Sequence, residues 1–108
     1  MTLTVEERAK VLVEALPYIK RFHGQIVVVK VGGNAIEQAR DETLLDIVLL
    51  RYVGMQPVLV HGGGPEITAM SERLGIKATF KKGLRVTDEK TMEVVKMVLT
   101  GKVSPDIV

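Results

Sequence analysis

Cysteine and tryptophan are absent from this sequence, and aromatic residues make up 4% of its 108 positions. Without a thiol there can be no disulfide, no thiolate metal site and no cysteine nucleophile. An excess of charge of one sign is missing too. The 15 Lys and Arg stand against 13 Asp and Glu, and a net charge of +2 points neither to nucleic acid nor to an anionic membrane surface as a partner. No apolar run approaches the roughly 20 residues that span a bilayer. Glu6, Glu7 and Glu14 interrupt the N-terminal region, which fits neither a secretory leader nor an acid-poor transit peptide, so a cytoplasmic location is expected. What is present, 46% hydrophobic and 26% charged residues, is the composition of one ordinary domain with a single core.

Thr4-Val-Glu-Glu7 has the capping-box spacing and predicts a helix start. Val11, Leu12, Ala15, Leu16, Ile19 and Phe22 continue it at helical spacing, Pro17 predicts a bend, and Gly24 a stop. Gln25 to Val31, Q-I-V-V-V-K-V, reads as a strand buried on both faces, with Lys30 near its end. A helix is expected over Glu37–Val53, stopped by Gly54, and a second strand over Pro57–Val60, giving a right-handed βαβ unit with parallel strands. Pro65 suits a first helical position, so Glu66–Leu74 reads as a helix closed by Gly75. Ala78–Phe80 and Leu84–Thr87 flank Lys81-Lys82-Gly83 as a hairpin, and Thr87 is placed to cap a helix over Asp88–Thr100 that Gly101 ends. Ser104-Pro105-Asp106 then has the order that opens a helix just where the chain stops. The expectation is an N-terminal piece of something longer, with a helical segment over 1–22 and a partial domain over 23–108.

Two glycine-rich turns follow the two parallel strands, and in an open α/β sheet the carboxyl ends of such strands form the usual ligand crevice. Lys30 to Asn34 and His61 to Gly64 thus share one rim. Glycines admit close approach to the backbone, and helix N-termini carry about half a positive charge, so this rim favours phosphate or carboxylate. The alternative is that the glycines only make tight strand-to-helix turns. Neither G-x-x-x-x-G-K-[ST] nor G-x-G-x-x-G is present, and H-G-G-G lacks the G-x-S-x-G nucleophile that an esterase would need. Arg85 could take a substrate carboxylate bidentately, or be a solvated residue paired with Asp88 or Glu89. His61 reads as packed or hydrogen-bonded, because no partner stands at metal-ligand spacing, and Lys81-Lys82 as an exposed turn.

Taken together, K-V-G-G-N, V-H-G-G-G-P and G-L-R-V-T-D-E-K-T-M-E resemble the amino acid kinase superfamily, and within it the acetylglutamate kinase family. The resemblance runs from about Leu12 to Val108. It implies the N-terminal half of a three-layer αβα sandwich with a mainly parallel sheet, the half that binds N-acetyl-L-glutamate. The other half would bind ATP and Mg²⁺, and the reaction would phosphorylate the side-chain carboxylate. By the same resemblance Lys30 would be catalytic, steadying charge on the transferred group, with Gly32 and Gly33 binding phosphate. Gly62, Gly63 and Arg85 would bind substrate, and no residue would hold a metal. The nucleophile needs no base, since a carboxylate with a pKa of about 4.3 is ionised at neutral pH. Residues 1–22 look like the kinked N-terminal helix that joins dimers in some family members, so a homo-oligomer is expected, with no nucleic-acid or membrane partner. Alone, the chain would be inactive and bind ATP and Mg²⁺ weakly. Two other readings stay open: a sister kinase acting on glutamate, aspartate, carbamate or UMP, and a non-catalytic or engineered self-associating module.

Overall fold

The computed structural model describes residues 2–108. Helix α1 spans Val5–Phe22 and opens on the expected capping box: Glu7 N–H donates to the Thr4 hydroxyl at 3.2 Å, and Thr4 N–H donates to the Glu7 carboxylate at 2.7 Å. Pro17 lies inside it without ending it. Strand β1 (Ile26–Val31), helix α2 (Gly33–Tyr52) and strand β2 (Gln56–His61) form the βαβ unit. The strands pair in parallel from Ile26 opposite Gln56 to Val31 opposite His61. Pro57 fits within β2 because the N–H of Gln56 points to the Gln25 carbonyl, at 2.8 Å. The next residue therefore points away from β1, where a missing N–H breaks no bond.

The class is α/β, as read, but burial of the strands differs from expectation. Ile26 and Val28 are 69% and 66% exposed, and Val58 and Val60 share this open face, whereas Val27, Val29 and Leu59 on the opposite face are half-buried. A run of β-branched residues reports the parallel pairing but not which faces find a cover. Neither α1 nor α2 has a buried residue. The radius of gyration is 18.6 Å, whereas a compact domain of this length would have about 13 Å. No described helix is long and apolar enough to cross a membrane.

The buried core lies elsewhere, between helix α3 (Gly64–Arg73), helix α4 (Glu89–Val98) and the turn that follows α4. Ile67, Val94, Val98 and Val103 form it, with Met70, Ile76, Leu99 and Ile107 packed around. Burying each such side chain stabilises by roughly 1.5–3 kcal/mol. Strands β3 (Phe80–Lys81) and β4 (Leu84–Arg85) are a hairpin of two residues each, shorter than the sequence suggested. Its turn has Lys82 at φ 52° and Gly83 at φ 76°, the pair of positive values that suits the right-handed twist of a hairpin.

Several boundaries moved, four of them for a visible local reason. Helix α2 begins at Gly33 and is interrupted at Ala39 (φ −137°, ψ 42°), so the helical pattern from Glu37 missed its first turn. Asp88, not Thr87, caps α4, because its carboxylate accepts the Thr91 N–H at 2.8 Å. Gly101 does not end the helical path, which passes through a π-helical turn at Leu99–Val103 into α5 (Ser104–Ile107). Pro105 lacks an N–H for the carbonyl four residues back and its ring would strike that carbonyl, and the wider π turn accommodates both demands. Ser104, itself helical at φ −62° and ψ −47°, is therefore not an N-cap.

Candidate functional site

The turns after β1 and β2 lie against each other, backbone to backbone. The Gly62 N–H donates to the Val31 carbonyl at 3.1 Å. A Cβ on Gly33 would stand 2.9 Å from the Gly63 nitrogen, and one on Gly62 would stand 3.0 Å from the Gly33 nitrogen. A Cβ on Gly63 would stand 2.7 Å from Leu99 Cδ2 and 3.2 Å from Val103 Cγ2. Close approach at these three positions is already taken by neighbouring protein atoms. Gly32 and Gly64 differ: both are exposed, and a Cβ there would meet nothing within 4 Å.

Because α2 starts at Gly33 and α3 at Gly64, two helix N-termini open side by side. Their first-turn N–H groups lack helical partners and together present a positive potential to the rim. Arg85 joins the site through the hairpin. Its Nη2 donates to the Gly64 carbonyl at 3.0 Å and to the Thr68 hydroxyl at 2.8 Å, while Cζ stands 4.8 Å from the centroid of the Phe80 ring. Among the described residues ion pairs join Lys102 to Glu66 and to Asp106, and Arg85 forms none with Asp88 or Glu89. A cleft of about 480 Å³ runs between Asn34, Gly64, Thr68 and Arg85.

Lys30 is exposed on the open face of β1, opposite Val60, and makes no ion pair among the described residues. His61 is half-buried, and its Nδ1–H donates to the Gly62 carbonyl at 2.9 Å, the hydrogen-bonded role expected of it. A second cavity, of about 200 Å³, is bounded by Gly33, Glu37, Arg40, Gly63, Glu66 and Asp106, and Arg40 donates to the Asp106 carbonyl across its rim. Among the described residues no three His, Asp or Glu side chains converge as metal ligands. The structure thus brings Gly32, Gly33, Gly62, Gly63 and Arg85 onto one rim. Asn34 and Gly64, read onto the same rim from the sequence, line the cleft there, and the structure adds Thr68 and Phe80, which the sequence does not single out. The signal for Thr68 was its place four residues, one helical turn, after Gly64.

The model of the amino acid kinase family matches residues 25–108. The chain belongs to that family. It is similar to the acetylglutamate kinase of Heliobacterium modesticaldum, 58% identical over 104 residues that cover 94% of this chain and 35% of that protein. The acetylglutamate kinase of Kosmotoga olearia is 57% identical over 104 residues, 94% of this chain and 37% of that protein. That of Methanobrevibacter smithii is 58% identical over 100 residues, 91% of this chain and 34% of that protein. The chain thus spans about a third of the length of these curated relatives. Among solved structures, the N-acetylglutamate synthase of Neisseria gonorrhoeae, complexed with coenzyme A and N-acetyl-glutamate, superposes with a TM-score of 0.72. Identity there is 28%, over 92% of this chain and 23% of the synthase.

Proposed function

We propose that this amino acid kinase chain is the acceptor-binding part of an acetylglutamate kinase, which transfers the γ-phosphoryl group of ATP to the side-chain carboxylate of N-acetyl-L-glutamate. The observation that carries this reading is 58% identity to an acetylglutamate kinase across 104 residues. The rim geometry supports it. Two adjacent helix N-termini with exposed Gly32 and Gly64 leave room and positive potential for an anion.

ATP with its Mg²⁺ supplies the phosphoryl group. A carboxylate oxygen forms the new bond to phosphorus as the bond to the ADP oxygen breaks, and no proton has to leave the nucleophile. The residues of this chain contribute position and charge, the main requirements of phosphoryl transfer. Lys30 supplies a mobile cation, and Gly32 and Gly33 open the phosphate-facing helix. Gly62 and Gly63 shape the acceptor turn that ends in the open Gly64, while Arg85 anchors the α-carboxylate.

The test is an NMR titration of the ¹⁵N-labelled chain. N-acetyl-L-glutamate should shift the amides of Gly62 to Gly64 and of Arg85, and Arg85→Met should remove the effect. L-glutamate, L-aspartate and UMP should leave these signals in place. Shifts produced by UMP or aspartate but not by N-acetyl-L-glutamate would assign the chain to a sister kinase instead.

A further inference from the structure

Arg85 stands on a two-residue strand of an exposed hairpin, where little packing holds a long side chain. Its guanidinium is nevertheless fixed on several sides, by the Gly64 carbonyl, the Thr68 hydroxyl and the face of Phe80. The first two contacts both fall on Nη2, at 3.0 and 2.8 Å. Nη2 has two N–H groups, so two acceptors saturate it. Nη1 is enclosed and has no hydrogen-bond partner among the described residues. An enclosed charged donor without an acceptor is uncommon in a folded protein and points to a missing group. For a guanidinium that group is an oxyanion, and the Arg85 side chain lines a cleft bordered by Asn34, Gly64, Thr68 and Glu72.

The two planar forks of a guanidinium, Nη1 with Nη2 and Nε with Nη2, share Nη2. With Nη2 engaged by the protein, neither fork is free, and a two-pronged grip on a carboxylate is closed off. Of the two acceptors, the Gly64 carbonyl is backbone and persists whatever the side chains. The Thr68 hydroxyl is the one that sequence can change.

We propose that Thr68 is a positioning residue for the acidic ligand: its hydroxyl fixes the guanidinium plane and makes Nη1 the donor that receives one carboxylate oxygen. The second oxygen is left to another donor, and Asn34 lines the same cleft. This rests on the reading of Arg85 as the carboxylate anchor.

Two measurements on the ¹⁵N-labelled chain test it. Without ligand, the two Arg85 Nη signals should be separate in the wild type and in Thr68→Ser, because the hydrogen bonds slow rotation, and should merge in Thr68→Val. With N-acetyl-L-glutamate as the probe, Thr68→Val should bind about tenfold more weakly, as expected on losing a hydrogen bond to a charged group, and Thr68→Ser close to wild type. Its α-amide, N-acetyl-L-isoglutamine, should not distinguish Thr68→Val from wild type. Adding Thr68→Val to Arg85→Met should cause no further loss. Merged Nη signals in the wild type, or wild-type affinity in Thr68→Val, would overturn the proposal. Wild-type affinity in Arg85→Met would overturn the functional reading instead, and the ligand-free signals would still decide whether Thr68 holds the guanidinium.

Discussion

Gly33 and Gly63 meet backbone to backbone, so close that a Cβ on Gly33 would stand 2.9 Å from the Gly63 nitrogen. The contact joins the two turns at the ends of β1 and β2. Gly33→Ala must push one turn away from the other, and Gly63→Ala must displace Leu99. Each should lower stability by about 1–3 kcal/mol, the usual cost of overpacking. Gly64→Ala faces open space at the start of α3 and should leave stability unchanged or raise it by roughly 0.5 kcal/mol. Urea midpoints of the three variants check this, and equal losses in all three would contradict the packing distinction.

Asp88 titrates with a consequence for acid stability. The Thr91 hydroxyl and then the Thr91 N–H hold its carboxyl below its ordinary value. A depressed value in the folded state means that the cap contributes fully above the unfolded-state pKa of about 3.9 and fades as pH falls through the lower folded value. Asp88→Asn keeps an acceptor for the Thr91 N–H without a titrating group. Thermal melts from pH 7 to pH 2 should show the wild type losing its advantage over Asp88→Ala below about pH 4, and Asp88→Asn keeping its own. A pH-independent gap between wild type and Asp88→Ala would remove the charge from the account.

Lys82 is the only described non-glycine residue with positive φ, at 52°. Lys82→Asn or Lys82→Gly should tighten the hairpin by a few tenths of a kcal/mol, since these residues accept that conformation more readily. Gly83→Val, at φ 76°, should loosen it. Hydrogen exchange at Val86, whose N–H donates to the Thr79 carbonyl at 2.8 Å, reports both changes. Slower exchange in Gly83→Val would be the contrary result.

The open sheet face of Ile26, Val28, Val58 and Val60 should make the chain self-associate. Sedimentation at increasing concentration should show dimers or larger species, reduced by Val28→Lys with Val58→Lys. A monomer at every concentration would count against a homo-oligomer built on this face. On the functional side, the chain alone should give no ATP-dependent hydroxamate from N-acetyl-L-glutamate in hydroxylamine. Turnover that disappears in Lys30→Ala would refute this.

Local rules were the legible part of the sequence. Thr4 and Glu7 announced α1, the β-branched run 26–31 announced a parallel strand, and the two glycine turns announced the rim. What escaped depends on partners distant in sequence. The glycine residues of H-G-G-G look alike as letters, yet Gly63 is buried under Leu99 and Val103 while Gly64 is open. Only tertiary packing separates them. Gly101 reads as a stop because glycine commonly ends helices, whereas Pro105 four residues later favours a wider turn that continues the path. Arg85 stands out in the sequence by its charge, but nothing within G-L-R-V-T reveals that Gly64 and Thr68 hold it.

The seat of Leu99 against Gly63 bears on how related sequences should be compared. Position 63 excludes a side chain for a reason that arises inside the fold, in the packing of Leu99 and Val103 against it. A glycine kept there through divergence would therefore testify to the π turn behind it, and its loss should be accompanied by a smaller residue at 99. Position 64 carries no such internal tie. Retention of glycine at 64, in proteins where 99 varies freely, would be the better witness to what the rim binds.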